Sequence, residues 1–315
     1  MRVAPSTVFV ALLLVAFAAL PVYTVSFEQP FYLALVRRIM ILAIAALGLN
    51  LIMGYGGLIS MGHAAFIGIG GYTVGILAHH DVTSAGIQWP LALAFAAAVA
   101  LVFGLISLRT RGVYFIMITL ALAQMMFFLG VSLEAYGGDD GLPVLSRSDF
   151  GGAIDLGDDV TFYYFVYALL LACFWLMSRL VNSRFGMVIR GIRSNEARMQ
   201  AIGFATLRYQ LTAFVLAGMM AGLAGALLAN HTDFINPEMA HWTRSAELLV
   251  MVLLGGMGSI AGPIVGAAAL LLLEELLAGI TEYWALILGP IMIVIVLFAR
   301  NGLLGMIDRW SGRDG

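Results

Sequence analysis

The chain has 315 residues, of which 62% are apolar and only 11% charged, with a mean hydropathy of +1.00. Soluble domains carry about 25% charged residues, so a soluble globular fold is excluded, as is one anchor bearing a large water-soluble domain. The net charge of −2 argues against a nucleic-acid partner, and 16 Arg with no Lys leave no residue for a Walker A loop.

Apolar runs follow one another at 8–25, 39–53, 58–78, 90–108, 113–133, 162–176, 211–229, 248–254, 264–277 and 284–299. A membrane-spanning helix needs about 20 apolar residues. The pattern predicts an all-α polytopic membrane protein with about ten transmembrane helices, eight at the fewest, some short or broken by glycine. The first run follows Arg2 and contains Ala16-Phe17-Ala18. A cleaved signal peptide has that form, and so does a first span; a first span is expected. The single cysteine, Cys173, sits inside an apolar run. It offers no intrachain disulfide and no paired-thiol metal or redox site.

The first glycine cluster covers residues 48–72 and the second 255–266. Each falls in a different half of the chain, within or beside an apolar run. Glycine-interrupted helices line substrate paths in transporters, so both clusters are expected to break helices along a path. Asn50, Gly54, Gly57, Ser60, His63, Gly255, Gly258 and Ser259 are the candidate path residues. Polar side chains at membrane depth are costly and face protein or a cavity. For His63 a hydrogen bond to a neighbouring helix is the plainer alternative. Residues 55–78 and 245–263 could each be re-entrant. No metal-ligand spacing and no catalytic constellation is expected. The stretch from Gly256 to Ala261 matches a nucleotide-binding glycine pattern, but no strand or soluble βαβ unit surrounds it. Ala217, Ala221 and Gly225 recur every four residues, as do Gly218 and Gly222; this is helix-packing chemistry.

Arginine sets the orientation. Arg109 and Arg111, then six Arg between 179 and 208, then the C-terminal three are placed in the cytoplasm with Arg2. Residues 134–161 carry seven acids against Arg147 and are placed outside. Both termini then fall inside. Arg37 and Arg38 fit poorly, because ten spans put them outside. Arg244 and Glu247 are spaced for a surface pair, and Glu274 and Glu275 are expected near headgroup level. A proton-coupled carrier would want a carboxylate deep in a span, and none is evident.

Within 179–208, Val188, Ile192, Met199 and Ile202 share one helical face. Arg190, Arg193, Glu196 and Arg198 supply polar groups. One amphipathic helix is expected over 187–202, stopped by Gly203. It could lie on the membrane surface or dock in a partner's groove.

Three stretches together resemble the LivM-type permease subunits of branched-chain amino acid ABC transporters. They are Gly48-Leu49-Asn50 through Phe66; Gly186 through Gly203 with Ala213-Phe214 and Ala221 to Gly225; and Met251-Val252 with Gly255 to Ser259 and Gly262-Pro263. The likeness runs from about Ile39 to about Arg300. One departure is Gln210, where the family usually has Lys after the Tyr. The resemblance implies one permease domain over 1–315, in a bacterial inner (plasma) membrane. It implies a coupling helix in 179–208 that docks on an ATPase through Arg190, Ile192, Arg193, Glu196, Arg198, Met199, Ile202 and Gly203. It implies a second homologous permease, two ATP-binding subunits that use ATP and Mg, and an extracytoplasmic substrate-binding protein. That protein would meet residues 134–161 and 231–244. This chain would bind no cofactor. Branched-chain amino acids are the leading substrate; urea, short amides or other small organic acids are family alternatives, and a secondary carrier is the rival class.

Overall fold

The computed structural model describes residues 5–27, 29–151, 155–298 and 302–310. Thirteen α-helices lie among them: α1 (Pro5–Ser26), α2 (Pro30–Asn50), α3 (His63–His79), α4 (Ala85–Ser107), α5 (Val113–Ser132), α6 (Asp159–Val181), α7 (Arg184–Ser194), α8 (Glu196–Ala201), α9 (Thr206–Thr232), α10 (Trp242–Gly255), α11 (Gly262–Ala278), α12 (Trp284–Phe298) and α13 (Gly302–Trp310). Each apolar run of the sequence forms a helix over most of its described length. Six of the helices are long and apolar enough to cross a membrane: α1, α2 with its extension to Tyr55, α4, α5, α6 and α9. The protein is an all-α polytopic membrane protein. Of the other apolar helices, α3, α10 and α11 are short because glycine-rich or extended segments interrupt them.

The helix α2 is the axis of the bundle. From Ile39 to Leu49 it is apolar all round and buried, as expected of a helix surrounded by protein. In contrast, α4 and α5 leave Phe95, Met117 and Phe128 exposed on their outer faces. In lipid these side chains meet hydrocarbon, so burying them is not what drives assembly. Close backbone approach does that work. A Cβ at Gly225 would stand 2.0 Å from the Ile67 carbonyl oxygen, and one at Gly222 would stand 2.4 Å from the Ala96 Cβ. The small residues of α9 therefore seat α3 on one edge and α4 on the other. Gly225→Val is expected to cost about 1–3 kcal/mol or more by overpacking and to lower the amount of folded chain recovered from membranes. Recovery equal to wild type would show that α3 and α9 can part at no cost.

One end of the bundle is acidic. There Asp158 caps α6, accepting from the Thr161 N–H at 2.9 Å and from its hydroxyl at 2.7 Å. The Thr161 side-chain bond, with help from that N–H, holds the Asp158 carboxyl below the usual carboxylate range. Arg37 reaches the same place. It pairs with Asp159 at 2.9 Å, donates to His231 Nδ1 at 2.9 Å and stacks over the Phe162 ring. Arg147 pairs with Asp159 from the other side at 3.0 Å. Arg37, which fitted the arginine pattern poorly, thus sits at the acidic end of the bundle. Two short strands, β1 (Leu142–Pro143) and β2 (Phe234–Ile235), pair antiparallel and tie the acidic segment to the chain after α9.

At the opposite end, the Ser6 N–H donates to Asp308 of α13 at 3.2 Å, so the two ends of the described chain share a face. The same face carries α7 and α8. The segment after β2 does not stay at the acidic surface. It descends along α3: Ile235 packs on Gly75, Met239 on Gly71 and Ala240 on Gly68. Consequently α10 begins inside the bundle, where Ser245 accepts from the Ala64 N–H at 2.8 Å.

Candidate functional site

The two glycine breaks meet. After Asn50 the chain widens into a π-helical turn, Leu51–Tyr55, a feature frequent at functional sites. The Asn50 side chain donates to the Ser259 carbonyl at 2.8 Å and accepts from the Gly258 N–H at 3.2 Å. One amide thus closes two backbone groups of the second break. Gly258 has φ +80°, a left-handed conformation that L side chains resist. Gly54 leaves no room for a Cβ, which would stand 2.0 Å from Asn50 Oδ1 and 2.6 Å from the Gly258 nitrogen. Gly255 is equally tight against the Gly262 carbonyl at the head of α11.

A helix of the arginine-rich face grips this junction. Arg193 Nη1 donates to the Gly54 carbonyl. The Arg193 Cγ lies 2.9 Å from where a Cβ on Gly57 would be, and Gly57 has φ +74°. The segment that carries Arg193 differs from the single amphipathic helix expected over 187–202. It is two helices, α7 and α8, divided at Asn195. There the backbone is extended, and the Asn195 side chain accepts from the Arg198 N–H at 2.9 Å. An N-cap has won over helix continuation. Gly203, with φ +92°, ends α8 as expected.

The division turns several side chains inward. Ile192 is buried in this chain's own core with Ile189, so it is not an outward anchor. Met199 folds back over Gly191. Arg190 donates to the Val181 carbonyl at 3.1 Å, closing the end of α6. Glu196 pairs with Arg111 of the α4–α5 loop at 3.1 Å and accepts from Gln200 and Thr206. Exposed on this face are Met187, Arg190, Arg193, Arg198, Ile202 and Phe204.

Ser60 and His63 are fully buried. His63 Nδ1 lies 3.2 Å from Ser60 Oγ, and its ring stands edge-on to Phe66 and Phe214. Its Nε2 has no hydrogen-bond partner among the described residues. Both residues are packed at the head of α3.

A polar cavity of about 340 Å³ lies between α2, α10, α11 and α12. Arg38, Glu238, His241, Arg244, Glu247 and Glu274 line it. The Arg244–Glu247 pair forms at 2.7 Å, but it faces this cavity instead of an open surface. Glu274 stands opposite Arg38 across it, at 3.9 Å. The sequence held one signal of this: an arginine, Arg38, beside a long apolar run that no loop accounted for.

Known proteins supply the remaining evidence. The profile of the family described as branched-chain amino acid transport system / permease component matches residues 31–297. The chain is 33% identical over 290 residues to the high-affinity branched-chain amino acid transport system permease protein LivM of Salmonella typhimurium, covering 85% of this chain and 68% of that protein. It is 31% identical over the same length to LivM of Escherichia coli K12, with the same coverage. A shorter match, 30% over 125 residues, joins 39% of this chain to 40% of the E. coli K12 permease protein LivH. No solved structure matches significantly. The matched region takes in the axial helix, both glycine breaks, the α7–α8 segment and the polar cavity, and the chain belongs to the branched-chain amino acid transport system permease family.

Proposed function

We propose that this chain is one of two permease subunits in an ATP-driven importer of branched-chain amino acids in a bacterial inner membrane. The observation that carries the mechanism is the bond from Arg193 to the Gly54 carbonyl. It joins the arginine-rich surface segment to the place where both helix breaks touch. In this reading α7 and α8 are the coupling segment, cytoplasmic with both termini, and the acidic segment lies outside. The chain makes ten passes; the eighth is the extended run after β2 completed by α10.

An ATPase that docks on Met187, Arg198, Ile202 and Phe204 would push on α7. Arg193 would carry that push to Gly54, and Asn50 would pass it to Gly258 and Ser259. The junction is then a gate at the cytoplasmic end of the path, with Gly57 and Gly255 as its pivots. Ser60 and His63 border it at the head of α3. The energy comes from two ATP-binding subunits, which hold ATP and Mg; this chain lacks the Lys for it. A second, related permease completes the path, as the matches to both LivM and LivH suggest. An extracytoplasmic binding protein would dock where β1 and β2 bring the outer segments together. The chain itself binds no cofactor.

The test is a tagged pull-down from native membranes in mild detergent, followed by reconstitution. Recovery of two ATPases and a second permease, with leucine uptake that requires ATP and the binding protein, is the expected result. Recovery of this chain alone, driving uptake without ATP, would sink the importer assignment in favour of a secondary carrier. Uptake of urea in place of leucine would keep the class and change the substrate.

A further inference from the structure

We propose that the cavity between α2, α10, α11 and α12 is a transient substrate site that holds an α-amino acid by both charged ends. The inference rests on the importer reading above and adds to it the residues that recognise the zwitterion.

Charged side chains inside spans are expensive and mark functional positions by default. Arg37 and Arg38 are neighbours on α2, about 12 Å from its start by helix rise. Arg37 is fully engaged, by Asp159, His231 and the Phe162 ring. Arg38 is not. Its ion pair among the described residues is to Glu274 at 3.9 Å, beyond the 2.7–2.9 Å or so of a charge-assisted hydrogen bond. A guanidinium has five N–H donors, and this one faces the cavity with no hydrogen bond to the described residues. The first turn of α10 opens into the same space through His241 and Thr243. A helix N-terminus inside a membrane bundle favours a carboxylate. Arg38 and that turn form the anionic-end cradle.

Across from it stands Glu274. Glu247 is held by Arg244 at 2.7 Å and Glu238 is exposed, so Glu274, part-buried and facing Arg38 at 3.9 Å, is the carboxylate placed to receive an ammonium. Leu270, Trp284 and Leu288 make the apolar wall, which suits an aliphatic side chain. At about 340 Å³ the cavity is at the small end of small-molecule sites, which run to about 300–1,000 Å³. Urea, uncharged, would use neither pole. Because Arg38 and Glu274 already face one another loosely, a substrate inserts between them at modest gain. Weak holding is what a conducting path needs. A zwitterionic lipid headgroup offers similar charges, and the uptake assay separates the two.

The experiment uses the reconstituted full complex with its binding protein, ATP inside and labelled leucine outside. Arg38→Gln and Glu274→Gln are each expected to lower leucine delivered per ATP hydrolysed by about tenfold or more, with the complex recovered in normal amount. The exchanged pair, Arg38→Glu with Glu274→Arg, is expected not to restore uptake, since the first turn of α10, which favours a carboxylate, would then share its cradle with a glutamate. Uptake within about twofold of wild type in both single variants would overturn the proposal, and so would restoration by the exchanged pair, which marks a structural ion pair. If the exchanged variant does not assemble, the single variants decide. Variants that lose complex recovery in a lipid-dependent way but transport normally per complex would assign the cavity to a headgroup and overturn it too. Wild-type vesicles that import no leucine with ATP would instead overturn the importer reading itself.

Discussion

Arg193→Ala is expected to cut ATP-driven leucine uptake by at least about tenfold while the complex still assembles and still hydrolyses ATP. The reason lies in what the side chain joins. Its guanidinium donates to the Gly54 carbonyl, at the end of a π-helical turn whose backbone is not closed by ordinary helix bonds. A hydrogen bond from a charged donor is worth about 1.5–3 kcal/mol, enough to make α7 and the first break move as one piece. Alanine removes that tie and leaves α7 seated by Ile189 and Ile192, which stay buried. The ATPase would then move a helix that no longer moves the gate. Arg193→Lys should recover part of the uptake, since one ammonium can reach a carbonyl but lacks the planar fork that fixes the angle. Parallel measurement of leucine uptake and ATP hydrolysis in vesicles decides it. Uptake near wild type in Arg193→Ala would remove the latch, and loss of ATP hydrolysis together with assembly would show a structural role instead.

How much of this was legible beforehand differs from residue to residue. Composition and the arginine distribution sufficed for an all-α membrane protein with an acidic end and an arginine-rich end. The small residues of α9 also announced their packing, because spacing on one helix face is local information. The meeting of the two breaks was not local. Asn50 and Ser259 are separated by more than 200 residues, and no periodicity in either segment says that one amide will serve both. The same holds for Arg37, whose partner Asp159 lies 122 residues away; without that contact it looked misplaced. The division between α7 and α8 at Asn195 did have a local signal. Asn followed by Glu is a helix-start pattern, and it was outweighed by an apolar periodicity that ran through it. The polar cavity was missed for a different reason. An i,i+3 pair such as Arg244 and Glu247 has the same sequence signature on a surface as in a pocket, and only the descent of the chain after β2 places it inside.

The junction itself makes the second large prediction. Gly54→Ala adds one methyl group and is expected to abolish uptake and lower thermal stability. The added Cβ would stand 2.0 Å from Asn50 Oδ1 and 2.6 Å from the Gly258 nitrogen. Neither neighbour can yield cheaply. The Gly258 backbone is held in a left-handed turn between α10 and α11, and Asn50 is buried with both amide groups engaged. If Asn50 swings away, the Ser259 carbonyl and the Gly258 N–H lose their partner. Each buried polar group left unpaired costs about 1–3 kcal/mol, and the overpacking adds about 1–3 kcal/mol. If instead the breaks separate, the path from Arg193 through Gly54 to the second break is cut. Gly289→Ala is the control: among the described residues outside its own helix backbone, nothing lies within 4 Å of its added methyl on α12, and alanine is the better helix former by about 1 kcal/mol. Melting of the purified complex and ATP-driven leucine uptake, measured on both variants, separate the cases. A Gly54→Ala complex that melts and transports like the Gly289→Ala complex would mean the two breaks do not need each other, and the gate would have to be sought elsewhere along α2.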